Sequence, residues 1–158
     1  IENNKQIKSQ LMIMGKLPPK VKDYFLKISD ATIITNKNKI NNKEFFGSPI
    51  KLFEYMSLGK PIISTKVKNI EEYLKIYTDN VNQNIENVNG FIIDNNENDT
   101  SMKLDAIFDK FYEVINFLKL NQKISNKIGE NCRNLFLKNY TWDENVNKII
   151  YTINNEYK

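Results

Sequence analysis

The stretch GSPIKLFEYMSLGKPIIST at residues 47–65 decides the fold. Ser48 is a favourable N-cap, and Pro49 suits the first helical position, where a missing N–H costs nothing. Gly59 is the expected C-terminal stop, and Pro61 opens an apolar strand at Pro61–Ser64. The spacing predicts a short helix over 48–58 followed at once by a buried strand. Pro49, Phe53 and Met56 share the helix side expected to pack on the sheet.

Working upstream, Gln10–Met14 reads as a strand ending at Gly15, and a Leu17-Pro18-Pro19 loop leads into a helix marked by Val21, Tyr24, Phe25 and Ile28. Ser29-Asp30 breaks that helix, Ala31–Thr35 reads as a strand, and Asn36–Phe46 as a polar, basic loop. Downstream come a short helix near Asn69–Ile76, an Asn-rich connector at 78–89 and a strand at Gly90–Asp94. Three helices follow at about 100–119, 122–138 and 142–156. Thr141 with Glu144 has the capping-box spacing that opens the last of them, and Trp142 is expected to pack there as a staple. Cys132 falls on an apolar helix face and reads as a buried, inert thiol.

Strands alternating with helices mean an α/β fold: a Rossmann-like parallel sheet with flanking helices and a helical C-terminus. Residues 1–10 form a polar tail, and 11–158 one domain. Ligands of such sheets sit at the carboxyl ends of the strands. Here those ends are Gly15-Lys16, Asn36-Lys37, Thr65-Lys66 and Asp94, and three of the four carry a lysine.

The chain has 158 residues, 41% of them hydrophobic, which suits a single domain with a packed core. Asn, Ile and Lys supply 69 of the 158, so surface Lys and Asn carry little functional information. One cysteine and no histidine exclude a disulfide scaffold, zinc sites and Ser-His or Cys-His catalysis. No apolar run approaches the roughly 18 residues of a membrane span, and no leader pattern opens the chain. Net charge is +4, with +6 held by residues 1–51 and −2 by the remainder. A basic first third favours an anionic ligand, although a solvated Lys-rich surface reads the same way. Nucleic acid is disfavoured, because the aromatic residues do not interleave with the lysines.

At the start of the central helix, the free N–H groups of Ile50 and Lys51 add to the helix dipole and make a phosphate site. Glu54 lies about 9 Å along the axis from Ser48 at ~1.5 Å per residue. A carboxylate at that distance can accept two hydrogen bonds from a cis-diol, so the spacing suits a nucleoside diphosphate. Taken alone, a helical glutamate reads more readily as the i−3 partner of Lys51.

The whole string resembles the C-terminal, donor-binding domain of GT-B retaining glycosyltransferases of the group-1 type. Glu54, the run Tyr55-Met56-Ser57-Leu58, Gly59-Lys60-Pro61 and Ile62-Ile63-Ser64-Thr65 carry the likeness. Met14-Gly15-Lys16-Leu17, Ser29-Asp30-Ala31, Asn89-Gly90-Phe91-Ile92-Ile93 and Tyr140-Thr141-Trp142 extend it from about residue 11 to 157. The resemblance implies that Glu54 binds the ribose hydroxyls of a nucleotide sugar. Ile50 and Lys51 would offer backbone N–H groups to the distal phosphate, and Ser48 would shape the turn. Gly15, Lys16 and Leu17 would lie near the base. It also implies transfer of the sugar to a glycan, lipid or protein acceptor without a metal, in the cytoplasm or peripherally at a membrane.

Two departures stand out. Many relatives carry an acid eight positions before the ribose Glu; here that position is Phe46, with Glu44 two residues earlier. The basic pair that neutralises the leaving diphosphate has no counterpart before residue 11, so no catalytic residue is assigned. The first strand matches the family's third, and the chain is therefore expected to be a piece of a longer protein, lacking two strands and an N-terminal acceptor domain. A non-catalytic nucleotide-binding module and a two-domain epimerase or phosphorylase are the alternatives.

Overall fold

The computed structural model describes residues 12–36, 39–40, 43–44, 49–75, 85–94 and 104–156. Helix α1 (Pro19–Ile28) starts on the expected proline and stops where Ser29 turns back, its hydroxyl donating to the Leu26 carbonyl at 2.7 Å. Strand β1 (Thr32–Ile34) follows. Strands β2 (Lys39–Ile40) and β3 (Lys43–Glu44) form a small antiparallel pair within a stretch expected to be all loop. Next come α2 (Ile50–Ser57), β4 (Ile62–Thr65) and α3 (Lys68–Glu71). A 3-10 turn at Ile85–Asn87 leads to β5 (Gly90–Ile93). Helices α4 (Leu104–Leu120), α5 (Gln122–Asn139) and α6 (Trp142–Glu156) complete the order.

β1, β4 and β5 make a parallel sheet in the order β1-β4-β5, registered by Thr32 on Ile62 and Ile62 on Gly90. All four residues of the central strand β4 are buried, as expected of a strand covered on both faces. Its side chains alternate: Ile62 joins a core with Ile34, Leu52, Met56 and Ile70, and Ile63 one with Val88, Phe91, Ile93 and Leu118. That period of two is the physical signature of a central strand. The sheet and its flanking helices thus match the Rossmann-like expectation.

Four expectations change. Residues 12–14 form no strand, and Ile13 is 85% exposed. A strand needs a hydrogen-bonded neighbour, and among the described residues none lies beside them. The buried face of α2 is Leu52 and Met56 rather than Pro49 and Met56, with Phe53 on the flank. Phe53 instead joins an aromatic trio with Tyr73 and Tyr140, ring centroids 4.8 to 5.5 Å apart. The helix near Asn69–Ile76 shortens to α3, closed by Tyr73 N–H on the Ile70 carbonyl; Ile76 lies outside the described residues.

The fourth correction is Trp142. The Thr141 hydroxyl accepts from the Glu144 N–H at 3.2 Å, the expected cap, yet the indole is 84% exposed. Val146, Ile149, Ile150 and Ile153 extend the same exposed stripe along α6. Helical periodicity fixes which residues share a face; it does not fix what covers them.

The left-handed residue Gly59, with φ 68°, ends α2 and presses its backbone against α5. A Cβ at Gly129 would stand 2.3 Å from the Gly59 carbonyl oxygen. Replacing Gly129 with Ala should therefore destabilise the chain by about 1–3 kcal/mol, the usual cost of overpacking, in urea unfolding.

Cys132 is fully buried, and its thiol donates to the Asn89 carbonyl. Burial pushes its pKa up from the ordinary 9.0 to about 12. A raised thiol pKa favours the unfolded state once the unfolded thiol ionises, so stability should fall by about 1.4 kcal/mol per pH unit between those two values. The thiol should resist Ellman's reagent near pH 8 in the native chain and react at once in urea, because only the thiolate attacks.

Candidate functional site

α2 connects β1 to β4, two parallel neighbours, so its N-terminus lies at the carboxyl ends of the strands. The Phe53 N–H bonds to the Pro49 carbonyl at 3.2 Å, which makes Pro49 the N-cap. This displaces the expected cap by one residue; Ser48 itself lies outside the described residues. Helix geometry leaves the N–H groups of Ile50 and Lys51 without intrahelical acceptors. Among the described residues no side chain caps them, and both residues are exposed, Ile50 to 70%.

The strand ends beside this turn are pinned. The Thr65 hydroxyl donates to the Asn36 carbonyl at 2.7 Å and accepts from the Asn36 N–H at 3.0 Å. This reciprocal pair ties the exit of β1 to the end of β4. At the next strand end, the Lys66 ammonium lies 3.4 Å from the Asp94 carboxylate in an exposed pair. Asp94 thus faces a cation at the ligand-bearing edge of the sheet.

Glu54 sits in the second turn of α2, half-buried. Its partner is Lys22 of α1 and not Lys51: the Lys22 ammonium donates to Glu54 Oε1. Asp23 adds a weaker approach to Lys22 at 3.9 Å. The hydrogen bond to Glu54 raises the Lys22 pKa, against a lowering by burial and helped by the charges of Glu54, Asp23 and Tyr55. The Tyr55 hydroxyl is also raised, by burial first and then by the Glu54 charge, and so stays neutral.

The sequence offered no signal for Lys22, because it is one lysine among 22 and lies 32 positions from its partner. Gly15, with φ 63°, and Lys16 are exposed and Leu17 half-buried in the loop before α1. The Lys22–Glu54 contact joins the first turn of α1 to the second turn of α2. Phe46, the position where many relatives carry an acid, lies outside the described residues. Among the described residues no group of three or more Cys, Asp or Glu side chains is placed to hold a metal ion, and no helix is long and apolar enough to cross a membrane.

The open parallel sheet with its flanking helices defines an α/β, Rossmann-like protein, a class in which ligands sit at the strand carboxyl ends. Residues 2–135 match the family described as glycosyl transferases group 1, and the chain belongs to that family. Searches of the curated proteins and of the solved structures give no match. Membership assigns the chain to glycosyl transfer in general.

Lys22 should keep its proton to higher pH than an ordinary lysine. The raised folded value means the bridge contributes fully below the ordinary lysine range and is lost as pH rises through the Lys22 value. NMR titration of the Lys22 ammonium should show this upward displacement, and Glu54→Gln should bring it back down.

Proposed function

We propose that this chain binds a nucleotide diphosphate sugar and serves as the donor side of a glycosyltransferase. The observation that supports this reading is Glu54 in the second turn of α2, behind a helix start without a side-chain cap, in a chain of the group 1 family. Glu54 accepts from the ribose hydroxyls. The N–H groups of Ile50 and Lys51 meet the distal phosphate, with Ser48 shaping the turn. Gly15, Lys16 and Leu17 flank the base through backbone atoms. The helix dipole and basic side chains offset the charge of the diphosphate, so the proposal requires no metal. The acceptor is a glycan, lipid or protein, met in the cytoplasm or at a membrane surface.

A non-catalytic nucleotide-binding module is the second reading. Phe46, standing where many relatives carry an acid, favours it, because that position then makes no polar contact with the sugar. The two readings share the same nucleotide site and differ only in turnover.

Calorimetric titration with UDP, GDP and ADP tests the shared site. One diphosphate should bind selectively, and Glu54→Ala should cost on the order of 1.5–3 kcal/mol, the loss of charged ribose contacts. Equal binding of all three by the native chain and by the variant would reject the site. Release of sugar from the matching nucleotide sugar would then favour the transferase over the module.

A further inference from the structure

Lys22 and Glu54 come from different helices, and no sequence motif joins them, yet their side chains meet at the strand-end edge of the sheet. We propose that Lys22 is a positioning residue: it holds Glu54 through Oε1 and leaves Oε2 to accept from a ligand hydroxyl. The proposal rests on the donor-site reading above.

The chemistry of the contact supports a holding role. An ionised carboxylate has two oxygens and about four acceptor sites, and Lys22 engages only Oε1. The Glu54 side chain is 31% exposed, so packing alone does not fix its rotamer. Its backbone, by contrast, is secured, because the Ser57 hydroxyl donates to the Glu54 carbonyl at 2.7 Å. A glutamate loses rotamer freedom when it binds, and a partner that orders it beforehand removes part of that cost. The ammonium also lies 3.9 Å from the Asp23 carboxylate, a second charge that favours its ionised form. The opposite role, a competitor that occupies Glu54 until a ligand displaces it, makes the reverse prediction for every variant at position 22.

The test is calorimetric titration of the chain with UDP, GDP and ADP, and with the 2′-deoxy form of whichever binds. Four variants are compared: Lys22→Met, Lys22→Arg, Glu54→Ala, and Lys22→Met with Glu54→Ala. Lys22→Met should weaken the ribonucleotide by about twofold to fivefold, the upper scale of an exposed ion pair. Lys22→Arg should restore binding. The 2′-deoxy ligand should feel Lys22→Met less than the ribonucleotide does. In the Glu54→Ala background the Lys22 change should have no further effect.

Unchanged or tighter binding by Lys22→Met, with Glu54→Ala still impaired, overturns the positioning role and leaves the donor site standing. A Lys22→Met loss that persists without Glu54 also overturns it, because Lys22 then contacts the ligand itself. Absence of binding by the native chain overturns both proposals. Lys22 is half-exposed, and circular dichroism of each variant keeps a folding defect separate from a binding one.

Discussion

The backbone contact between Gly59 and Gly129 sets where α2 can lie, and the candidate site follows from that placement. An eight-residue helix is too short to persist on its own. α5 holds it at its C-terminal end: Gly129 admits the Gly59 carbonyl, and the Arg133 guanidinium donates to the Ser57 carbonyl at 2.5 Å. The next residues of α5 grip the other crossover, through Cys132 on Asn89 and Asn131 on the carbonyls of Ile85 and Val88. One helix thereby clamps the segments that enter β4 and β5. The opposite end of α2, with its unsatisfied donors, is left facing the strand carboxyl ends.

The same clamp shows why asparagine counts mislead in this chain. Asparagine is abundant here, and most copies read as surface. Asn89 is nonetheless 1% exposed, accepting from the Lys75 N–H at 2.6 Å and donating to the Tyr73 carbonyl at 3.1 Å. It satisfies backbone groups of Tyr73 and Lys75 that burial would otherwise leave unpaired. Gly90 beside it has no room for a side chain, since a Cβ there would meet the Ile62 carbonyl at 2.9 Å.

Much of this was legible because local punctuation was strong. Gly59, Pro61 and the Thr141–Glu144 pair marked ends that the structure keeps. The apolar runs at 32–34, 62–65 and 90–93 became strands because each found a parallel neighbour in the sheet. Residues 12–14 are equally apolar and have no such neighbour among the described residues. The pairing of β2 with β3 escaped notice because two-residue strands carry no periodicity. Trp142 failed for a different reason: its cap was local and readable, while its cover depends on contacts that no spacing records. Lys22 lies in the same class, a partner 32 positions away that only the three-dimensional structure could reveal.

The largest correction at the site is the identity of the α2 cap. A Ser N-cap places its own oxygen on the free N–H groups of the first turn. Pro49 cannot, and neither can Pro18 at the start of α1; neither helix has a side-chain cap bond. Two adjacent helices thus begin with donors that their own side chains leave open. A bare carboxylate one turn behind such a start would repel a diphosphate, since Glu54 stands only about 6 Å along the axis from Ile50. Lys22 offsets that charge from the neighbouring helix while leaving one carboxylate oxygen to accept. The free helix start and a charge-paired carboxylate thus lie within two turns of α2, an arrangement that needs a side chain from each helix.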